Sequence, residues 1–268
     1  MELPDVQRQK DIREIPIHRV GISDVLLPLK IARRDEDTPL DVVASINCFV
    51  NLQQQERGTH MSRLVIGLQN MSGGFIHRDS MLAALANIKN SLAADDAFMV
   101  AKFHYFLKKQ TPKSQLTGTQ GYECSFIGRV SEGHNDFIIQ AVVPVITVCP
   151  CSKEISEYGA HNQRAEIRVR VRVGAKAPVL WIEDLIPSIE MCGSSQVYPI
   201  LKRLDEKYIT ECSYDNAKFV EDVLRDTVIK MREFPQVESF ALRVKSFESI
   251  HPHDATAYYW DPSWNIGY

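Results

Sequence analysis

The sequence predicts an α+β protein built from two successive ββααββ units, each an antiparallel sheet with two helices on one face. Three observations carry that prediction. Segments of period-2 apolar alternation come in pairs, segments of helical period stand between the pairs, and the same order runs twice along the chain without residue-level identity between the halves. The expected boundaries are a flexible leader at 1–14, a first unit at 15–132 and a second at 133–268.

In the first half, 15–22 alternates and reads as a strand entry, continued or paired by 25–31, before a charged turn at 33–39. Residues 40–52 form a clear strand with Val42, Ala44, Ile46 and Cys48 on one face, although Val43, Phe49 and Val50 blur its register. Gly58-Thr59-His60-Met61-Ser62-Arg63 opens a helix that places Leu64, Leu68 and Met71 at helical spacing. A second helix is expected at 79–94, with Leu82, Leu85, Ile88 and Leu92 as its buried stripe. Strands at 98–107 and 121–130 follow, separated by a loop containing Pro112 and Gly118.

The second half repeats the order. Strands fit 136–148 and 164–173, the latter with Ala165, Ile167, Val169, Val171 and Val173 on one face and Arg164, Glu166, Arg168, Arg170 and Arg172 on the other. A short helical piece at 182–191, helices at 197–210 and 215–234, and closing strands at 238–247 and 255–260 complete it. Sheets covered on one side only leave open edges, a pairing hazard that closure into a barrel removes. The expectation is a homo-oligomer in which sheets join across subunits.

Composition bounds the function. With 268 residues, 44% apolar and 24% charged, the chain is long enough for a sizeable core and has the balance of a soluble globular protein. A net charge of −3 gives no general attraction to nucleic acid. The polar start shows no apolar signal segment, and no apolar run reaches the roughly 18 residues a membrane helix needs. The six cysteines are therefore expected as reduced thiols in a cytoplasmic protein.

The chemistry-bearing stretch is Thr147-Val148-Cys149-Pro150-Cys151-Ser152-Lys153, followed eight residues later by His161-Asn162-Gln163. It leaves a run too apolar for a surface loop and presents two thiols, a hydroxyl, an amine and an imidazole. Thiolate with imidazole is the ligand set of a transition-metal site, or the makings of an activated nucleophile. Two cysteines at a strand end are equally compatible with plain packing. Ser246-Phe247-Glu248-Ser249-Ile250-His251-Pro252-His253 ends a core strand in residues that pack poorly and ligate well. By contrast, Lys202-Arg203-Leu204-Asp205-Glu206-Lys207 alone reads as a solvated helical face. Glu221, expected in mid-helix, is an ordinary exposed carboxylate on its own. His60 and Arg63 stand at a helix start, where backbone N–H groups and a cation together suit a phosphate.

Taken in series, Gly58–Arg63, the Cys149-Pro150-Cys151-Ser152-Lys153 run, Gly159-Ala160-His161-Asn162-Gln163, Leu201-Lys202-Arg203 with Asp205-Glu206-Lys207, and Ser246–His251 resemble the prokaryotic GTP cyclohydrolase IB family over roughly residues 12–262. The resemblance implies the tunnelling fold, tandem ββααββ units assembling into barrels. It implies a homotetramer with active sites near subunit interfaces and no membrane or nucleic-acid partner. It also implies the metal-dependent hydrolysis of GTP to 7,8-dihydroneopterin triphosphate and formate, the entry to folate. Cys149 is similar to the family's essential thiolate, and His161, Glu206, Glu248 and His251 to its other metal-site residues. Glu221 is similar to the carboxylate that holds guanine, while His60, Arg63, Lys153, Arg203 and Lys207 fall to the triphosphate. No role follows for Cys151 beyond packing or support of the site.

A divalent cation suits the reaction because purine C8 is a poor electrophile and hydroxide is scarce near neutral pH. The donor mixture fits Zn²⁺ and also Mn²⁺ or Fe²⁺, and the resemblance implies a permissive site taking Mn²⁺ or Zn²⁺. Two rivals share the sequence features. A tunnelling-fold nitrile reductase acting on a deazapurine would use the cysteine with a nicotinamide and leave Glu248 and His251 idle. A non-catalytic purine- or pterin-binding module would keep Cys149 as a structural thiol. An archaeal branch of the family makes a cyclic phosphate instead, which product identification distinguishes.

Overall fold

The computed structural model describes residue 7 and residues 9–264; of the expected leader, residues 1–6 and 8 lie outside the described residues. The chain divides into two compact units. One comprises the described residues up to His104 with Ser125–Ile138, the other Tyr105–Cys124 with the described residues from Ile139 onward.

The first unit holds strands β1 (Ile17–Ile31) and β2 (Leu40–Leu52), helices α1 (Met61–Gln69) and α2 (Arg78–Ser91), and parts of β3 (Asp96–Gln110), β4 (Thr117–Ser131) and β5 (His134–Val148). Its strand order follows the sequence, β1-β2-β3-β4-β5, with β1 and β3 antiparallel to β2. The two expected pieces at the start are one strand. It carries an irregularity between Ile22 and Val25, where Asp24 takes φ 57° and its N–H is held by Asn47 Oδ1 at 2.8 Å. An aspartate tolerates the left-handed region, so the bulge interrupts the ladder without ending it.

The register of β2 settles as the alternation predicts. Ala44, Ile46 and Cys48 are fully buried while Val43 is 67% exposed. Leu64 and Leu68 of α1 are also buried. The stripe of α2, however, is Met81, Leu85 and Ile88; Leu82 and Leu92 are only half-buried. That helix stops at Ser91 because Ala93 adopts φ 52°. The two helices meet closely at Gly67, where a Cβ would lie 2.5 Å from Ile88 Cγ1.

The second unit holds the remainder of β3, β4 and β5 together with α3 (Pro150–Ile155), β6 (Asn162–Val173), α4 (Ile182–Glu190), β7 (Ser195–Gln196), α5 (Arg203–Asp215), α6 (Val220–Arg232), β8 (Val237–Ser246) and β9 (Ala255–Trp260). Its strand order is β3-β4-β5-β6-β8-β9, with β7 added to β5. Ala165, Ile167, Val169 and Val171 of β6 are fully buried, as their alternation predicts. The arginines between them are not simply wet. Arg170 Nε donates to Gln140 Oε1 at 2.7 Å and Arg172 Nη1 to Ser239 Oγ at 3.1 Å. Arg168 faces Arg243 across the β6–β8 ladder, and burial, then Arg243, push its pKa down. A buried Lys109–Glu190 ion pair at 2.6 Å, joined by Tyr122 Oη at 2.7 Å, fastens α4 to the strands behind it.

Helices α5 and α6 differ from the expected 197–210 and 215–234. Pro199 disfavours helical geometry at Tyr198, so the first helix begins only at Arg203. Residues 216–219 break the second. Asn216 spends its side-chain amide on the Gly193 and Ser194 carbonyls, both at 3.1 Å, and Lys218 N–H bonds back to the Val148 carbonyl at 3.0 Å. The helix restarts at Val220, where Asp222 accepts the Phe219 N–H at 3.0 Å.

Candidate active site

Four element ends meet in the second unit: the finish of β5, the start of β6, the finish of β8 and the N-terminus of α6. The β5 end is clamped by backbone bonds. Val148 N–H donates to Ser194 Oγ at 3.2 Å, its carbonyl accepts from Lys218, and Cys149 N–H donates to the His161 carbonyl at 3.1 Å. Ser194 reaches β5 because Gly193 precedes it; a Cβ there would lie 2.6 Å from Val145 Cβ. The β6–β8 register then brings the third side chain group. Ala165 pairs with Ser246 and Phe247 N–H donates to the Arg164 carbonyl at 2.9 Å. Glu248 and Ser249 consequently turn over the start of β6, where His161 and Gln163 stand.

The result is a cleft of about 290 Å³ lined by Cys149, His161, Glu221, Glu248, His251 and His253, with Thr147, Gln163, Ser246, Lys218 and Phe219 among its walls. Cys149 caps α3, and its Sγ accepts the Ser152 N–H at 3.4 Å. His161 Nδ1 lies 3.0 Å from Gln163 Oε1, and His251 stacks on His253 with ring centroids 5.2 Å apart. Lys218 is spoken for, its ammonium 2.8 Å from Asp226 and 3.0 Å from the Cys192 carbonyl. Among the described residues, no three His, Cys, Asp or Glu side chains converge as a ready-made metal ligand set.

All six cysteines are free. Burial pushes the Cys48 and Cys124 thiols up to about 12, so neither is a nucleophile or ligand near neutral pH. Of the half-buried thiols, Cys149 faces this cleft.

A family model described as type I GTP cyclohydrolase folE2 matches residues 3–257. The chain belongs to the type I GTP cyclohydrolase FolE2 family. Proteins named GTP cyclohydrolase FolE2 align with it along nearly their whole length. That from Geobacter metallireducens is 41% identical, covering 95% of both chains. That from Geotalea uraniireducens is 43% identical, covering 95% of this chain and 92% of its own. That from Dictyoglomus thermophilum is 42% identical, covering 94% and 96%. Among solved structures, the uricase of Arthrobacter globiformis superimposes with a TM-score of 0.53 at 6% identity, covering 94% of this chain and 96% of its own. The urate oxidase of Bacillus subtilis 168 gives 0.52 at 8%, covering 91% and 98%. At such identity the likeness is one of fold alone, an α+β antiparallel sheet carrying helices, the tunnelling fold.

Not every residue singled out in this FolE2-family sequence lines the cleft. Cys149, His161, Glu221, Glu248 and His251 do. Glu221 is not in mid-helix: it stands exposed in the first turn of α6, because that helix starts at Val220. Glu206, Arg203 and Lys207 lie exposed at the start of α5, with Lys207 paired to Glu211 at 3.1 Å, and none lines the cleft. Lys153 donates to the Tyr214 carbonyl at 2.6 Å, capping the C-terminal end of α5. His60 and Arg63 line a cleft of about 400 Å³ in the first unit with Gly58 and Thr59, and Arg63 Nη1 donates to the Ser91 carbonyl at 2.8 Å. His253, read in the sequence as ligating material without an assigned role, also lines the cleft, and Lys218 and Phe219 were missed because their placement needed the α5–α6 break.

Asp205 emerges as the fastener of α5. Fully buried, it accepts from the backbone N–H groups of Lys113 and Ser114, both at 2.9 Å, and of Lys202 at 3.0 Å. Burial pushes its pKa up, but the Ser114 hydroxyl and these three N–H groups outweigh it and hold the carboxyl well below the usual range. A depressed carboxylate contributes stability that is whole above the ordinary carboxylate pKa and is lost as pH falls below it. Asp205→Asn is therefore expected to lower the melting temperature by several degrees at pH 7 and by less at pH 3. Thermal unfolding at both pH values checks this, and an equal drop at the two would remove the ionised carboxylate from the account.

Proposed function

We propose that this family member hydrolyses GTP to 7,8-dihydroneopterin triphosphate and formate in the cytoplasm, the entry step to folate, with a divalent cation held at Cys149. The observation that carries the reading is the single cleft in which a thiol, two flanking histidines of the β8 end and His161 face two carboxylates. Soft and borderline donors beside carboxylates fit Zn²⁺ or Mn²⁺, and Fe²⁺ is admitted. Cys149, His161, Glu248 and His251 would hold the ion, with Glu206. When bound, the ion supplies the acidity that makes hydroxide available at neutral pH.

The chain's own groups supply the rest. Glu221 accepts from guanine N1–H and the exocyclic amine, presenting C8 toward the opposite wall. Protons are accepted and returned at His161 or at a neighbouring carboxylate as the imidazole ring opens and formate leaves, the carboxylate taking that role whenever His161 Nε2 holds the ion. Two waters enter in those hydrolyses and one is lost when the ribose-derived chain recloses on the amine, so one is consumed overall.

Arg203, Lys207, Lys153, His60 and Arg63 enter this reading as triphosphate contacts, and Glu206 as a further residue of the ion site, in a homotetramer whose tandem units close barrels, with sites near subunit interfaces. Exposed apolar side chains at the cleft rim and beside its residues, Phe219, Phe247 and Ile250 at 40%, 36% and 62%, support burial by a second copy. Light scattering is expected to give a tetramer; a monomer at working concentration would remove the intersubunit sites. Among the described residues no helix is long and apolar enough to cross a membrane.

The deciding assay incubates protein reconstituted with Mn²⁺ or Zn²⁺ with GTP, measures formate, and identifies the pterin by fluorescence after oxidation. Formate with dihydroneopterin triphosphate is expected. A cyclic phosphate product, or nicotinamide-dependent nitrile reduction with no formate, would overturn the assignment.

A further inference from the structure

Behind His161 the cleft wall contains a polar chain to which the reaction above gives no role. Thr147 Oγ1 lies 3.1 Å from Ser246 Oγ, and both residues are buried, at 1% and 3% exposure. Gln163 Nε2 donates to Ser246 Oγ at 3.2 Å, and Gln163 Oε1 faces His161 Nδ1 at 3.0 Å. Ser249 Oγ lies 3.4 Å from both His161 Nδ1 and Gln163 Oε1. The chain joins the ends of β5, β6 and β8, the same three ends that deliver Cys149, His161 and Glu248.

Its protons can be accounted for. Thr147 Oγ1 donates to the Gln163 main-chain carbonyl at 3.4 Å. Either hydroxyl of the Thr147–Ser246 pair can be the donor; with the Thr147 proton on that carbonyl, Ser246 donates to Thr147 and its Oγ is left to accept, which of the two amide ends only the Gln163 N–H can satisfy. That requirement orients the Gln163 amide with its nitrogen toward Ser246 and its oxygen toward His161. An amide oxygen accepts and does not donate, so the proton between Gln163 and His161 belongs to Nδ1.

We propose that Gln163 is a positioning residue: anchored through Ser246, it holds His161 in the tautomer protonated at Nδ1 and so leaves the Nε2 lone pair for the cleft. The inference rests on the reading above only for what His161 does next, since ligating a cation and accepting a proton both require that lone pair. A free imidazole favours the opposite tautomer, so without Gln163 the ring presents an N–H where the site requires an acceptor.

The test reads the tautomer directly. Wild-type protein labelled with ¹⁵N-histidine and free of added metal is compared by ¹⁵N NMR with Gln163→Leu and Gln163→Glu, the His161 signals being assigned by their loss in His161→Asn. Protonated Nδ1 is expected in the wild type and in Gln163→Glu, which keeps an acceptor, and a shift toward protonated Nε2 in Gln163→Leu. In turnover, Gln163→Leu is expected to lose about 10–100-fold in kcat with KM and melting temperature little changed, and Gln163→Glu to recover most of it. Protonated Nε2 in the wild type, or an unchanged tautomer in Gln163→Leu, overturns the proposal. If Gln163→Leu does not fold, the wild-type and Gln163→Glu spectra still decide it. Because the tautomer is measured without substrate, a protein that failed to convert GTP would overturn the assigned reaction and leave this result standing or falling by itself.

Discussion

Cys149→Ala is expected to reduce turnover of GTP to background while the protein stays folded. The backbone bonds that shape this corner do not depend on the sulfur. Cys149 N–H still reaches the His161 carbonyl, and the Cys149 carbonyl still accepts from Lys153 at 3.0 Å. What is lost structurally is one 3.4 Å contact from the Ser152 N–H to a sulfur acceptor, at a half-buried position. Such a change lies within the small range of substitutions away from a packed core. What is lost chemically is the one thiol that faces the cleft. Cys151 is exposed and does not line it, and Cys48 and Cys124 are sealed in the core. Residues that merely support a metal ligand cost about 10–100-fold when removed, and a direct donor is expected to cost more. Formate release and bound metal, measured together, check this. Wild-type turnover in a folded Cys149→Ala protein would remove the thiolate from the mechanism.

Glu221→Ala is expected to raise KM for GTP by roughly 10²- to 10⁴-fold with metal content intact. Two hydrogen bonds to a carboxylate, at about 1.5–3 kcal/mol each, set that range. The position favours the role: Glu221 lies in the first turn of α6, where the positive end of the helix suits a negative side chain, and its side chain lines the same cleft as Cys149. Its exposure means that truncation leaves no cavity, so stability should hardly move. Steady-state kinetics with GTP and metal analysis of the same preparation separate the two effects. Normal GTP binding by the variant would end the guanine assignment.

Much of this was readable from residue order because the relevant physics is local. Period-2 alternation placed the β6 core face from Ala165 to Val173, and the apolar run into Thr147 placed Cys149 at a strand end. Legibility failed where a non-local bond outweighs propensity. The α5–α6 break is made by Asn216 and Lys218 bonding to Gly193, Ser194 and Val148, partners at least 22 residues away for Asn216. Helical periodicity ran straight through it, and so Glu221 was misplaced within its helix. The α2 stripe shifted for a similar reason: several apolar residues compete for the inward face, and contact with α1 at Gly67 selects among them.

The order of residues alone determined most of the strands and helices, though not α3 or β7, and the chemical types available to the site, since periodicity and side-chain chemistry are properties of short segments. Only the tertiary structure decided which of those side chains share a cleft. Antiparallel pairing of β6 with β8 brings residues 161–163 beside 246–251, and the clamp on β5 adds Cys149 and the α6 start. Proximity of groups about 85 residues apart follows from strand register and backbone hydrogen bonding, which no local pattern encodes.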